Sequence, residues 1–207
     1  MIVVIDYGAG NTKSVMRALD KNSIDAILSS DKKEIASADG LILPGVGAFP
    51  HAMEELEKRD LIDVIRNEVT EGKPLLGICL GMQLLVDSSD EHRHTKGFGF
   101  IPGECKKLPA THKYPVPHMG WNELNVKQNK RLTQGINHKY VYFVHSYAVD
   151  VASPYVEASC EYMQDIPAVI SYKNVYGTQF HPEKSGEIGH KLLRNFKEIV
   201  YEYTSGN

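Results

Sequence analysis

Between residues 1 and 80 short apolar runs alternate with helical patterns, and this alternation restricts what the chain can fold into more than any other feature of it. "MIVVI" leads into "NTKSVMRAL", "DAILSS" is followed by the strand "GLILP", and the long amphipathic stretch "FPHAMEELEKRDLIDVIRNEV" precedes "KPLLGICL". Strands separated by helices read as a parallel sheet with helices covering its faces. From Gly97 to Gln179 the character changes to strand after strand, with "YVYFVHSYAV" nearly alternating and Gly, Pro and Asn between the runs. The segment "GEIGHKLLRNFKEIVYEY" returns to helical spacing, with Ile188, Leu192, Phe196, Ile199 and Tyr203 on one face. With 207 residues and no internal repeat or linker, the expectation is a single α/β domain over 1–207. Its three layers are a mostly parallel central sheet flanked by helices, with added antiparallel strands in the second half.

Several function classes are excluded by composition. Apolar runs such as Ile2 to Ile5 fall far short of the roughly 18 residues a membrane span needs, and no charged segment precedes them, so a soluble cytoplasmic chain without an export signal is expected. The three cysteines, Cys79, Cys105 and Cys160, are odd in number and lack C-x-x-C spacing, which argues against a disulfide framework and a zinc site. No metal and no cofactor are expected. A formal net charge of −3 without a long basic run gives no electrostatic case for nucleic acid or anionic membrane as partner.

The chemistry begins at "GICLGMQLL", Gly77 to Leu85. A β-type run ends at Ile78 and "LGMQLLVDSS" can form a helix, so Cys79 falls at a sharp strand-to-helix turn between Gly77 and Gly81. This is the cysteine version of the G-x-S-x-G elbow, where small neighbours tolerate a strained turn that exposes a nucleophile. The helix start favours the thiolate form, and the free N–H of Leu80 points to where an oxyanion would form. Taken alone, a buried structural thiol explains Cys79 as well.

A nucleophilic cysteine needs a base. In "VYGTQFHPE" a strand runs into His181, Pro182 and Glu183; Pro182 keeps His181 extended, so His181 and Glu183 project to the same side. The carboxylate can then hold one imidazole nitrogen while the other faces the thiol. In "LILPGVGAF" a strand ends at Pro44, and Gly45, Val46 and Gly47 offer backbone N–H groups to a reacting carbonyl. The "DYGAGN" segment invites a dinucleotide reading, but the third glycine of G-x-G-x-x-G would fall on Lys13, so that reading fails. The His-x-His pair of "EHRH", Glu91 to His94, reads as a solvated loop.

In this order "PGVGAF", "GICLGMQLL" and "HPEKS" resemble the class I (triad) glutamine amidotransferases over essentially the whole chain. "DYGAGN", "PGVGAF" and "HMGWN", His118 to Asn122, resemble more narrowly the histidine-biosynthetic branch. The resemblance implies L-glutamine as substrate and Cys79, His181 and Glu183 as the triad. It further implies that Gln83 and the "HSY" backbone of His145, Ser146 and Tyr147 hold the substrate. A (β/α)8-barrel cyclase on a separate polypeptide would form a heterodimer with the chain and add the ammonia to a phosphorylated aminoimidazole-carboxamide ribonucleotide intermediate, giving imidazole glycerol phosphate and an aminoimidazole carboxamide ribotide. Asn11, Met119, Trp121, Asn122 and Lys184 would face that cyclase. A glutaminase for a different acceptor, a cysteine hydrolase of another class and a non-catalytic module remain as alternatives.

Overall fold

Alternate side chains of the first strand enter two different cores: Ile2 and Val4 pack with one cluster, Val3 and Ile5 with the other. A strand buried on both faces belongs to the middle layer of three. In the computed structural model, which describes residues 1–206, the first part of the chain forms β1 (Ile2–Ile5), α1 (Thr12–Lys21), β2 (Ala26–Ser29), α2 (Lys32–Ser37), β3 (Gly40–Leu43), α3 (Phe49–Lys58), α4 (Ile62–Thr70), β4 (Leu75–Ile78) and α5 (Leu80–Gln83). The remainder forms β5 (Ser88–Ser89), β6 (Thr95–Lys96), β7 (Gly103–Lys107), β8 (His118–Glu123), β9 (Asn125–Val126), β10 (Tyr140–His145), β11 (Tyr147–Val151), β12 (Val156–Tyr162), β13 (Gln164–Tyr172), β14 (Val175–Thr178) and α6 (Gly186–Ser205).

The main sheet has the order β2-β1-β3-β4-β14-β13-β12-β9. Pairing is parallel from β2 through β14 and antiparallel from there to β9. The α/β architecture with antiparallel strands added in the second half is therefore as expected. Val15 and Leu19 of α1 join Leu192 and Phe196 of α6 over one face, while Ile35, Leu56 and Ile65 of α2, α3 and α4 cover the other. The carboxyl ends of β3, β4 and β14 lie side by side, and it is there that an open α/β sheet presents its ligands. No helix among the described residues is long and apolar enough to cross a membrane.

Two expected helices come out differently. The stretch from Phe49 to Val69 is divided into α3 and α4, with Asp60 between them at φ 52°, a left-handed conformation that ends a helix. The helix expected over "LGMQLLVDSS" is a single turn: Asp87 N–H bonds to the Gly103 carbonyl and Ser88–Ser89 joins a small sheet with β6 and β7.

Strands β8 and β10 form a separate two-stranded ribbon. Its inner face carries His118, Val141, Phe143 and His145, all buried, and its outer face exposes Met119, Trp121 and Tyr140. Period-two alternation on a half-buried ribbon accounts for both faces.

Candidate active site

Cys79 adopts φ 54° and ψ −109°, a strained backbone for a residue with a side chain. The strain is held from both sides. Its N–H donates to the Thr178 carbonyl of β14 at 2.7 Å, and its carbonyl accepts from Gln83 N–H at 3.2 Å. A Cβ on Gly81 would collide with the Leu43 carbonyl, and one on Gly77 would meet the Gly81 backbone. The flanking glycines thus let the short helix seat against β3 and β4. With so short a helix a macrodipole contributes little, and the ionisable group beside the sulfur is the His181 imidazole.

Glu183 Oε1 lies 2.7 Å from His181 Nδ1, and both side chains are about 1% exposed. Burial opposes the imidazolium, yet Cys79 and Glu183 beside the ring outweigh it and carry the His181 pKa up to about 9. Asn11 Nδ2 donates to the same carboxylate oxygen. The other imidazole nitrogen, Nε2, is buried and has no protein hydrogen-bond partner among the described residues. It is the nitrogen left for proton transfer.

A cavity of about 390 Å³ collects nearly every expected residue: Val46, Gly47, Cys79, Leu80, Gln83, His145, Ser146, Tyr147, His181 and Lys184 all line it. Glu183 stands behind His181. Gly45 is seated against Leu80 and the Tyr7 hydroxyl, behind the elbow rather than on the cavity wall. Gln83 is buried and donates through Nε2 to the Tyr147 carbonyl at 2.9 Å. Gly47 has φ +101°, a conformation that glycine adopts without strain, and Val46 beside it is 42% exposed.

Among the expected interface residues, Met119 is 61% and Trp121 54% exposed on the outer face of β8, and Lys184 is exposed at the cavity edge. Asn11 and Asn122 are half-buried and bonded within the chain, Asn11 to Glu183 and Asn122 to His118. Asn11 therefore acts on the His-Glu pair.

Sequence reasoning missed three residues. Glu91, expected in a solvated loop, is buried, lines the cavity and accepts the Phe49 N–H at 2.9 Å, whereas His92, Arg93 and His94 are exposed as expected. Gln179 is fully buried, with Nε2 3.8 Å from the Cys79 sulfur and Oε1 accepting from Gln83 at 3.2 Å. Tyr7 donates its hydroxyl to the Pro44 carbonyl at 2.6 Å, tying "DYGAGN" to the start of the Gly45–Gly47 segment. Only the position of Gln179 two residues before His181 offered a signal, since alternation on an extended segment puts both on one side.

The arrangement has a thiol on a strained turn, an imidazole held by a buried carboxylate and a second carboxylate on the cavity wall. It fits acyl transfer through a cysteine thioester. The class-I glutamine amidotransferase family model matches residues 3–199. The HisH protein of imidazole glycerol phosphate synthase from Streptococcus mutans is 57% identical over 199 residues, covering 96% of this chain and 99% of that protein. Its counterpart from a Listeria monocytogenes serotype 4b strain, also HisH, is 54% identical over 200 residues, covering 97% and 96%. A solved glutamine amidotransferase structure superposes with a TM-score of 0.77 at 20% identity, covering 97% of this chain and all of that one. The structure of PurLQS from Thermotoga maritima gives 0.69 at 18% identity, covering 96% and 98%.

Proposed function

The chain belongs to the class-I glutamine amidotransferase family, and from that premise we propose that it is the glutaminase subunit of imidazole glycerol phosphate synthase, with Cys79, His181 and Glu183 as its catalytic triad. The observation that carries the catalytic reading is the strained Cys79 in the same cavity as His181, whose far nitrogen is held by a buried Glu183. Assignment to histidine biosynthesis rests on full-length relatives above half identity that bear that subunit's name.

Glutamine enters with its α-ammonium toward Glu91, the carboxylate on the cavity wall, while Gln83 and the His145–Tyr147 backbone hold its α-carbon end. The Cys79 sulfur attacks the side-chain carboxamide carbon, and the charge passes to the oxygen, which the N–H of Leu80 and an N–H from the Val46–Gly47 segment stabilise. The imidazolium of His181 gives its proton to the departing nitrogen, so that ammonia leaves and a glutamyl thioester remains. Water then adds to the thioester with His181 as base; glutamate departs and the thiol is restored. Glu183, itself fixed by Asn11, keeps the His181 ring oriented and stabilises its charged form. Ammonia passes to a (β/α)8-barrel cyclase bound as a heterodimer through the Met119, Trp121 and Lys184 side of the molecule. There it completes imidazole glycerol phosphate and an aminoimidazole carboxamide ribotide.

The test is synthesis of imidazole glycerol phosphate by the chain together with its cyclase, from glutamine and separately from ammonium. Cys79→Ala should abolish the glutamine-dependent reaction and leave the ammonium-dependent one intact. Retention of glutamine-dependent synthesis, or loss of both, would overturn the assigned roles.

A further inference from the structure

The two histidines at the paired ends of β8 and β10 point at each other. His118 Nδ1 and His145 Nε2 are 2.8 Å apart, and the rings are 0% and 6% exposed. Beyond them the contacts continue. His145 Nδ1 lies 2.8 Å from the Tyr147 carbonyl, and His118 Nε2 lies 2.7 Å from Asn122 Oδ1. Phe143 and Tyr162 stack on either side of the His118 ring, with centroids at 4.9 and 3.9 Å, so the ring cannot tilt freely.

Counting protons fixes the direction of this chain. A carbonyl only accepts, so His145 Nδ1 carries hydrogen; a neutral imidazole has one N–H, so His145 Nε2 is an acceptor. His118 must then donate through Nδ1. What remains is His118 Nε2, which is bare if Asn122 turns its Nδ2 toward it and protonated if Asn122 presents Oδ1. Burial opposes the charged form of both rings, pulling His118 below the ordinary histidine value and His145 to about 4. In the structure Asn122 presents Oδ1; turning the amide to present Nδ2 gives up the 3.4 Å bond to the Glu161 carbonyl and leaves Oδ1 facing that oxygen, a smaller cost than burying an imidazolium that no carboxylate faces. The uncharged arrangement is therefore the favoured one.

The chain ends where the substrate wall is built. The Tyr147 carbonyl that takes the His145 proton also takes Gln83 Nε2–H, and Gln83 in turn donates to Gln179, whose amide faces the Cys79 sulfur. At its other end, His118 and Asn122 belong to the strand whose opposite face exposes Met119 and Trp121. We propose that His118 and His145 are positioning residues, a directed hydrogen-bond relay that transmits the alignment of β8 to Tyr147 and Gln83 and so sets the glutamine site. Its effect on substrate rests on reading the cavity as that site; its proton arrangement does not.

Two measurements test the relay. In the full-length wild-type chain with ¹⁵N-labelled histidine, long-range ¹H–¹⁵N spectra should show both rings protonated at Nδ1 and His118 Nε2 unprotonated at neutral pH. Hydrogen on His145 Nε2, or a bare Nδ1 on His118, would overturn the relay, and this holds whether or not any variant folds. In the complex with the cyclase, His118→Leu removes the donor and should raise KM for glutamine roughly tenfold, the effect of one buried hydrogen bond left unmade, with a smaller change in kcat. His118→Asn, whose amide can stand where Nδ1 stood, should restore most of the affinity. Equal KM values for the wild type and His118→Leu, or no rescue by His118→Asn, would refute the coupling to substrate. A wild-type complex that hydrolyses no glutamine would refute the glutaminase reading and leave the histidine tautomers to be judged by the spectra alone.

Discussion

Three thiols occur in this chain, and their surroundings separate them. Cys79 lines the cavity, whereas Cys105 and Cys160 are sealed in the two cores, where burial pushes both thiols up, Cys160 to about 12. A glutamine-like electrophile should therefore label Cys79 alone, and glutamine should protect it. Mass spectrometry of the labelled chain decides this, and comparable labelling of the three would contradict the assignment. The imidazole of His181 supplies a second prediction. Despite burial, its neighbours lift it from the ordinary 6.5 to about 9, so it is charged at neutral pH and loses its proton as pH rises through that value. Because the folded value lies above the ordinary one, the associated stabilisation is complete below about 6.5 and is lost through about 9. In the proposed mechanism the imidazolium protonates the leaving nitrogen, so the glutaminase rate should fall along the same alkaline limb. Glu183→Gln removes one of the groups that raise the pKa, and its limb should move to lower pH with residual activity; a pH–kcat profile for both forms measures the shift.

At the level of elements, the site depends on how closely one turn of helix approaches two strands. Gly81→Ala would put a methyl group into the Leu43 carbonyl, and the backbone there cannot yield without moving β3 or the elbow. The substitution should destabilise the chain by roughly 1–3 kcal/mol and depress glutaminase activity further than that loss of stability explains, because the Cys79 turn moves with it. Thermal unfolding and kcat of the same preparation separate the two effects. These elements also mark what the sequence could and could not reveal. The parallel strands were legible because a strand buried on both faces is a short uninterrupted apolar run, as in "IVVI" and "GLIL". The break at Asp60 was not, since amphipathic spacing continues across it and only a backbone angle shows the turn. Nor was the early end of α5: "LLVDSS" suits a helix, but Asp87 and Ser88 are claimed by a β7 some sixteen residues downstream, a tertiary contact that local propensity does not encode. The elbow and the His-Glu pair were visible because local spacing alone dictates them. Glu91 and Tyr7 were hidden because their roles arise from elements that meet only in the fold.

At the scale of the whole molecule, the parts of the proposed site come from separated stretches of the chain, and the least anchored of them is Val46–Gly47, the proposed oxyanion segment. Cys79 is tied to β14 and His181 to Glu183, but Val46 is exposed and Gly47 stands at a positive φ with nothing within 4 Å of where a Cβ would be. Gly45 is packed against Leu80, but the peptide between the exposed Val46 and Gly47 can take two orientations at little cost, and a partner that contacts one of them shifts the population. Lys184 lines the same cavity, and Met119 and Trp121 are exposed on the outer face of the β8–β10 ribbon. The isolated chain is therefore expected to hydrolyse glutamine slowly, with a large rise when the cyclase and its nucleotide ligand are both present. The Lys184 backbone N–H donates to the His181 carbonyl at 3.0 Å, whereas its ammonium has no partner among the described residues and in the complex can pair with a cyclase carboxylate. Lys184→Ala should then weaken glutamine-dependent synthesis more than ammonium-dependent synthesis, since only the first needs the two sites aligned. Steady-state rates with the two nitrogen sources measure the difference. Full glutaminase activity in the isolated chain, unchanged by the cyclase, would mean that the Val46 peptide is already productive and that the enzyme works without its partner.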